Sequence, residues 1–361
     1  MKLFTCQRCG QGLYFENAVC GQCGAALGYL PALFQLSALA DVDQDGAFHP
    51  LADPQARSWR YCANHAAGSC NWMLPTDDPR PLCQACRLNR TIPDLSTPGN
   101  EQLWGRLEQA KHRLVYGLMR LGLPITDRGR APETGLAFDF LDHDAPNPHG
   151  DGPILTGHAD GVITIVLSEA DNALREAHRQ TMGETYRTLL GHFRHEVGHY
   201  YWDRLVRDGG KLDAFRAMFG DETQDYAAAL DNHYREGPPG DWQSRFVSAY
   251  ASAHPWEDFA ESWAHYLHIV DTLETARSFG IRSSPAVTND PAMAARIDFD
   301  PYGTEPWQDI LDAWFPLTLA VNELNRSMGQ PDLYPFILSA PATEKLRFIH
   351  TLIADNAIPA P

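Results

Sequence analysis

The sequence predicts an α+β protein in two parts, a small cysteine-rich module of short hairpins over residues 1–95 and a mostly helical domain with a small β-sheet over 96–361. Three observations carry this reading. All eight cysteines fall between Cys6 and Cys86. From about Asn100 onward, apolar residues recur at spacings of three and four, the period of an amphipathic helix. Beyond residue 95 only two runs look like strands, 136–141 and 162–167, and a loop rich in Asp, Pro, Gly and His parts them.

Composition narrows the class. Of 361 residues, 44% are hydrophobic and 21% charged, the balance of an ordinary globular chain. No stretch approaches the roughly 20 apolar residues of a membrane helix. The net charge is −17; residues 1–95 hold seven Lys/Arg and eight Asp/Glu, so −16 lies in the rest. A groove that tracks a nucleic-acid duplex needs the opposite sign. MKLFTCQRCG has no apolar signal region, and clustered cysteine pairs without a signal point to a reducing cytoplasm, where they hold metal more readily than disulfides.

In chain order, residues 1–30 hold the first cysteine set and 31–60 form a connector with an acidic run at Asp41, Asp43 and Asp45. The second cysteine set lies in 61–95. Leu103, Leu107, Ala110, Leu114, Leu118 and Leu121 line one face of a long helix that Gly122 and Pro124 stop. After the two strands, Ser168 with Asp171 marks a helix start and Gly183 a break. A long helix then spans 185–206, with Leu189, Leu190, Phe193, Val197 and Tyr201 on its inner side. Segment 208–252 reads as a loop-rich excursion, interrupted by Gly and Pro near 237–240. Pro255 suits the first position of a helix running toward Ser278. From about Glu305 to Ile353 the pattern gives two or more helices, broken at Pro331 and Pro335.

The cysteines fall into two quartets. Cys6 and Cys9 form CQRC, and ten residues on Cys20 and Cys23 form CGQC. Two such corners bring four thiolates into a tetrahedron about zinc, and Gly10 and Gly24 suit the tight turns whose amides face the sulfurs. A redox pair would open a helix in a βαβ context that is absent here. The second quartet is Cys62, Cys70, Cys83 and Cys86, less regular in its first half, with His65 as an alternative to one cysteine and buried small residues as the bland alternative. Four thiolates leave no open coordination position, so the zincs here are structural.

The chemistry lies downstream, in HFRHEVGHYYWD. His195, Glu196 and His199 make H-E-x-x-H: four residues are just over one helical turn, so both imidazoles leave the same face and can share a metal. Glu196 sits beside them, where it can take a proton from a water that the metal acidifies. A histidine six residues after His199 would extend the motif, but Leu205 stands there. In YASAHPWEDFAESWAHY, Glu257 and Glu261 lie one turn apart. Glu257 is the candidate third ligand, and Glu261 can accept the second N–H of a ligand histidine and fix its tautomer.

With these motifs the chain resembles the gluzincin metallopeptidases, in which HExxH is completed by the first Glu of an E-x-x-x-D/E helix. The resemblance extends to S-x-Y-A over 248–251 followed by E-D-F-A-E over 257–261. It implies that Tyr250 donates to the oxyanion, as the corresponding tyrosine does in lethal-factor-type gluzincins. Nearly everything to about Gly280, including both cysteine sets, CRLNRTIPDL, LLGHFRHEVGHYYWD and HPWEDFAESWAHYLHIVDTLETA, is similar to a bacterial family of zinc-binding metallopeptidases with an N-terminal zinc ribbon. The resemblance implies a double zinc-ribbon module followed by a gluzincin-like peptidase domain with a helical C-terminal extension. It also implies one catalytic zinc beside the two structural ones, and a peptide or protein substrate.

Neighbouring residues carry competing readings. His192 is either near the site or a hydrogen-bonded helix histidine. Asp203, on the ligand face four after His199, is a ligand's partner or the partner of a basic residue. His254, His265 and His268 rival Tyr250, with His265, two turns along the Glu257 face, the foremost candidate for an oxyanion or substrate contact. Trp202, Trp256 and Trp263 read as core rather than substrate subsite. Val162–Val166 is either an edge strand able to pair with a peptide or a core strand. Two other classes of function stay in view: an interaction module with a silent HExxH site, and a nucleic-acid-associated protease using Arg80, Arg87 and Arg90.

Overall fold

The computed structural model describes residues 1–40, 42–55, 57–142, 154, 156–181 and 188–358. Asp41 of the acidic run, the break at Gly183 and the helix start at Thr185 lie outside them.

The N-terminal module is built from two-stranded antiparallel pairs: β1 (Phe4–Thr5) with β2 (Gly12–Leu13), β3 (Leu27–Leu30) with β4 (Gln35–Ala38), and β5 (Trp59–Tyr61) with β6 (Met73–Pro75). Gly10 and Gly24 have φ of +78° and +71°, and each donates its N–H back to the carbonyl of Cys6 or Cys20, closing the cysteine corners. The module leaves its own boundary through β7 (Asn89–Thr91). This strand pairs in parallel with β8 (Ala137–Leu141), giving a sheet of order β7-β8-β10-β9, where β9 is Gly157–Ala159 and β10 Val162–Val166. All five residues of β8 and of β10 are buried, the pattern of parallel strands covered on both faces. β10 is therefore an interior strand. The edge beside it is β9, antiparallel to it.

Eight helices are seen among the described residues: α1 (Asn100–Arg120), α2 (Asn172–Thr181), α3 (Leu189–Tyr201), α4 (Leu212–Phe219), α5 (Tyr226–Glu236), α6 (Pro255–Ser278), α7 (Trp307–Ser327) and α8 (Ala340–Asn356). Thr188 caps α3 by accepting the Gly191 N–H, and His254 caps α6 ahead of Pro255. The expected helix over 185–206 has two parts: α3 gives way after Tyr201 to a π-helical segment, Trp202–Arg207. The loop-rich excursion expected over 208–252 is corrected, because it contains α4 and α5. α5 buries none of its residues, so it presents no apolar stripe for a periodicity argument to find. α7 continues through Pro316, and the break before α8 contains Pro331 and Pro335.

One apolar core runs through both parts. Phe15, Tyr29 and Trp72 of the module meet Tyr116 of α1, with Phe15 and Tyr116 centroids 5.5 Å apart and Tyr29 and Trp72 4.9 Å apart. α3 lies against α6 at a point where side chains are minimal. A Cβ on Gly198 would stand 3.0 Å from Ala260 Cα and 3.1 Å from Trp263 Cβ. No helix among the described residues is long and apolar enough to cross a membrane.

Candidate active site

That close helix contact brings the HExxH motif to the first turn of α6. His195 Nε2 lies 2.9 Å from Glu257 Oε2, and His199 Nε2 lies 3.5 Å from Glu257 Oε1. Ligand atoms of the three residues all fall within 4.8 Å of one another. Glu257 and His199 are buried, while the His195 side chain keeps 12% exposure. Burial alone would raise the Glu257 carboxyl, but His199 and His195 outweigh it and hold the group well below the usual carboxylate range. It is thus an anion, as a metal ligand must be. Its Oε2 is buried and makes no hydrogen bond of acceptable geometry. Two imidazoles and an unsatisfied carboxylate oxygen, converging in a low-dielectric place, are the donor set that zinc takes in hydrolytic sites.

The support behind this set is also in place. Glu261 Oε1 is 2.8 Å from His195 Nδ1, so Nε2 of that ring is left to face the metal position. Burial would raise Glu261 as well, yet its bond to His195 brings the carboxyl down to about 2. Glu261 Oε2 accepts the Ser248 hydroxyl at 2.5 Å, and Ser248 Oγ in turn accepts the Ala251 N–H at 3.1 Å. This tie fixes the turn Tyr250–Ser252, which gives the S-x-Y-A string a physical role. The Tyr250 ring centroid is 5.9 Å from that of His195. Burial, with Glu257 nearby, pushes the Tyr250 phenol far up, so it stays a proton donor. Glu196 is 9% exposed, and no ion pair or side-chain hydrogen bond engages its carboxylate among the described residues.

Other expectations resolve differently. Asp203 pairs with Arg207 at 2.6 Å and not with His199, whose Nδ1 has no hydrogen-bond partner. His265 is buried, bonded through Nδ1 to Tyr334 Oη at 2.6 Å, with the Phe336 ring edge-on at 4.4 Å. His254 serves as the cap of α6, His268 meets Arg194 at 2.7 Å, and His192 faces Glu169 at 3.3 Å. Trp202 and Trp263 are core, whereas Trp256 is half-buried with its ring 3.8 Å from His199. Arg80, Arg87 and Arg90 are each paired with a carboxylate, Asp78, Asp127 and Asp139, so the basic cluster is internally neutralised.

Two site residues escaped the sequence reading. Tyr226, first residue of α5, donates its hydroxyl to Glu257 Oε1 at 2.7 Å. The Asp225 cap marks where α5 starts, but nothing local says that this turn reaches a residue 31 positions away. His158 on β9 stacks toward His199, with centroids 6.3 Å apart, and accepts the Gly161 N–H through Nε2. Burial lowers it to about 3, which keeps the ring neutral.

The cysteine quartets have the dimensions of metal sites. A tetrahedron with Zn–S of about 2.3 Å has edges of about 3.8 Å. The observed Sγ separations are 3.7 Å for Cys6–Cys23, 3.6 Å for Cys9–Cys20 and 3.8 Å for Cys70–Cys83. His65 stands outside the second quartet, stacked on Tyr61 and bonded through Nδ1 to the Cys70 carbonyl at 2.8 Å.

Residues 3–97 match a zinc-ribbon domain family, and residues 100–352 match the family described as "putative zinc-binding metallo-peptidase". The chain is 44% identical over 359 residues to proteins of Mycobacterium bovis and of two strains of Mycobacterium tuberculosis, each called "uncharacterized protein". These alignments cover 99% of this chain and 96% of each relative. No solved structure matches it.

Proposed function

The chain belongs to this zinc-binding metallopeptidase family and carries a zinc-ribbon domain ahead of the peptidase region, and from that premise we propose that it hydrolyses peptide bonds in the gluzincin manner. His195, His199 and Glu257 hold one catalytic zinc, and the two cysteine quartets hold two structural ones. When bound, the catalytic zinc supplies Lewis acidity, which brings a water's pKa toward neutrality and polarises the scissile carbonyl. Glu196 takes the proton of the attacking water and passes it to the leaving amine. Tyr250, kept protonated by its surroundings, donates its hydroxyl to the tetrahedral oxyanion. Glu261 holds His195 in one tautomer, and Tyr226 holds the Glu257 carboxylate.

The convergence of two imidazole nitrogens on an unsatisfied buried carboxylate, with Glu196 disengaged beside them, carries this reading. Glu196→Gln should keep the wild-type zinc content while peptide cleavage, assayed on a denatured-protein or peptide-library substrate, falls by about 10²–10⁴-fold. Unchanged turnover in that variant removes the mechanism. Tyr250→Phe should lower kcat by about 10²-fold and leave KM close to wild type.

A further inference from the structure

The second cysteine quartet is sealed by α1 of the peptidase region, and one residue of that helix is placed for more than packing. His112 is buried and sets Nε2 3.3 Å from Cys70 Sγ and 3.7 Å from Cys86 Sγ. Its Nδ1 lies 2.6 Å from the Glu108 carbonyl oxygen, one turn back. A carbonyl oxygen only accepts, so the ring hydrogen sits on Nδ1, and in the neutral imidazole Nε2 directs a bare lone pair at two sulfurs. Beside thiolates a bare lone pair is repulsive unless a cation shares the place, either a metal ion or a proton on Nε2.

We propose that His112 is a fifth donor of the second metal site, able to replace Cys70, so that Cys62, Cys83, Cys86 and His112 hold the metal when Cys70 is withdrawn. The spacing suits this. In a tetrahedral site with Zn–S of about 2.3 Å and Zn–N of about 2.0 Å, sulfur and nitrogen stand about 3.5 Å apart, near the 3.7 Å between Cys86 and His112. Cys70 is the member able to leave. It is 6% exposed against 1%, 1% and 0% for Cys62, Cys83 and Cys86. With His112 it lines a solvent-open cavity of about 80 Å³ whose other walls include Gly68, Ser69, Asn71 and Gln109. Glu108, whose Oε2 is 3.6 Å from Cys86 Sγ, is a weaker substitute because Lys111 Nζ already neutralises it at 2.7 Å. Ligation by His112 would bond the module's metal directly to α1.

The test uses the full chain, with metal content by mass spectrometry and the absorption spectrum of the cobalt-loaded protein. Cys70→Ala should retain the wild-type number of metal ions, with weaker thiolate-to-cobalt charge transfer and d–d bands moved to higher energy, the signature of three sulfurs and one nitrogen. Cys70→Ala/His112→Ala should lose one ion per chain. If Cys70→Ala by itself loses that ion, His112 is only a hydrogen-bond donor to the sulfurs and the proposal fails. Should the Cys70 variants not fold, His112→Gln decides, since the amide keeps an N–H but no imidazole lone pair. One zinc should then pass to a chelator about tenfold faster than from wild type, and equal release rates would overturn the assignment.

Discussion

Glu257 meets two opposing demands, being almost wholly removed from water and yet ionised. The histidines it faces reconcile them, and a metal would do so more strongly, because a cation repays the desolvation of the carboxylate directly. Glu257→Ala should therefore remove one zinc per chain, whereas Glu261→Gln, which leaves all three ligands, should weaken affinity by about 10- to 100-fold without abolishing loading. Full zinc content in Glu257→Ala after dialysis would displace it from the ligand set. A different residue-scale expectation concerns His265. Burial lowers it from 6.5 to about 4, so between those values the unfolded chain binds a proton that the folded chain does not. The associated stability is complete above pH 6.5 and is lost as pH falls toward 4, by on the order of 3 kcal/mol. His265→Asn, which can still accept from Tyr334, should flatten the fall of Tm over that window. Parallel curves for variant and wild type would show that the ring does not titrate there.

Among the elements, the contact between α3 and α6 sets the site, and Gly198 inside the HExxH motif permits it. Gly198→Ala gains helix propensity of about 1 kcal/mol, but its methyl meets Ala260 backbone, which cannot give way as a flexible side chain would. Overpacking of this kind costs about 1–3 kcal/mol. The expected outcome is a small net change in Tm together with clear loss of catalytic zinc, since α6 shifts and takes Glu257 with it. Unimpaired zinc binding would mean that the helices tolerate the extra atom. The helices that carry the motif were legible because their apolar faces repeat every three to four residues. α4 and α5 were not. α5 stays on the surface and owes its place to caps and to the Tyr226 contact, which no periodicity records. The same limit explains Asp203: its position four after His199 is right for the ligand face of a regular helix, but the chain is π-helical from Trp202.

For the molecule as a whole, much of the site could be read from sequence because its donors lie in two short strings, 195–199 and 257–261, each within one or two helical turns. The partners brought in by tertiary folding, Tyr226, His158 and the Tyr334 contact of His265, could not, since each joins segments more than 30 residues apart. The division at residue 95 was drawn from cysteine and charge distribution, and the core does not respect it. Phe15, Tyr29 and Trp72 share a cluster with Tyr116, and buried Glu108 and His112 of α1 face the second quartet. Residues 96–361 produced alone should melt at least 10 °C below the full chain or aggregate, as followed by circular dichroism, because losing that cover exposes an aromatic and charged face at once. A melting temperature equal to that of the full chain would show two independent folding units.

β7 gives this continuity a historical meaning. Its three residues belong by sequence to the cysteine-rich module but complete the sheet that ends in β9 beside His199. Arg90 within it neutralises Asp139, a carboxylate buried in the neighbouring strand. A recombination event that exchanged the ribbons as a cassette would strip the peptidase of a strand and strand a charge in its interior. Ribbon and peptidase are thus expected to be inherited together, with their compensating changes tracked across the β7–β8 seam.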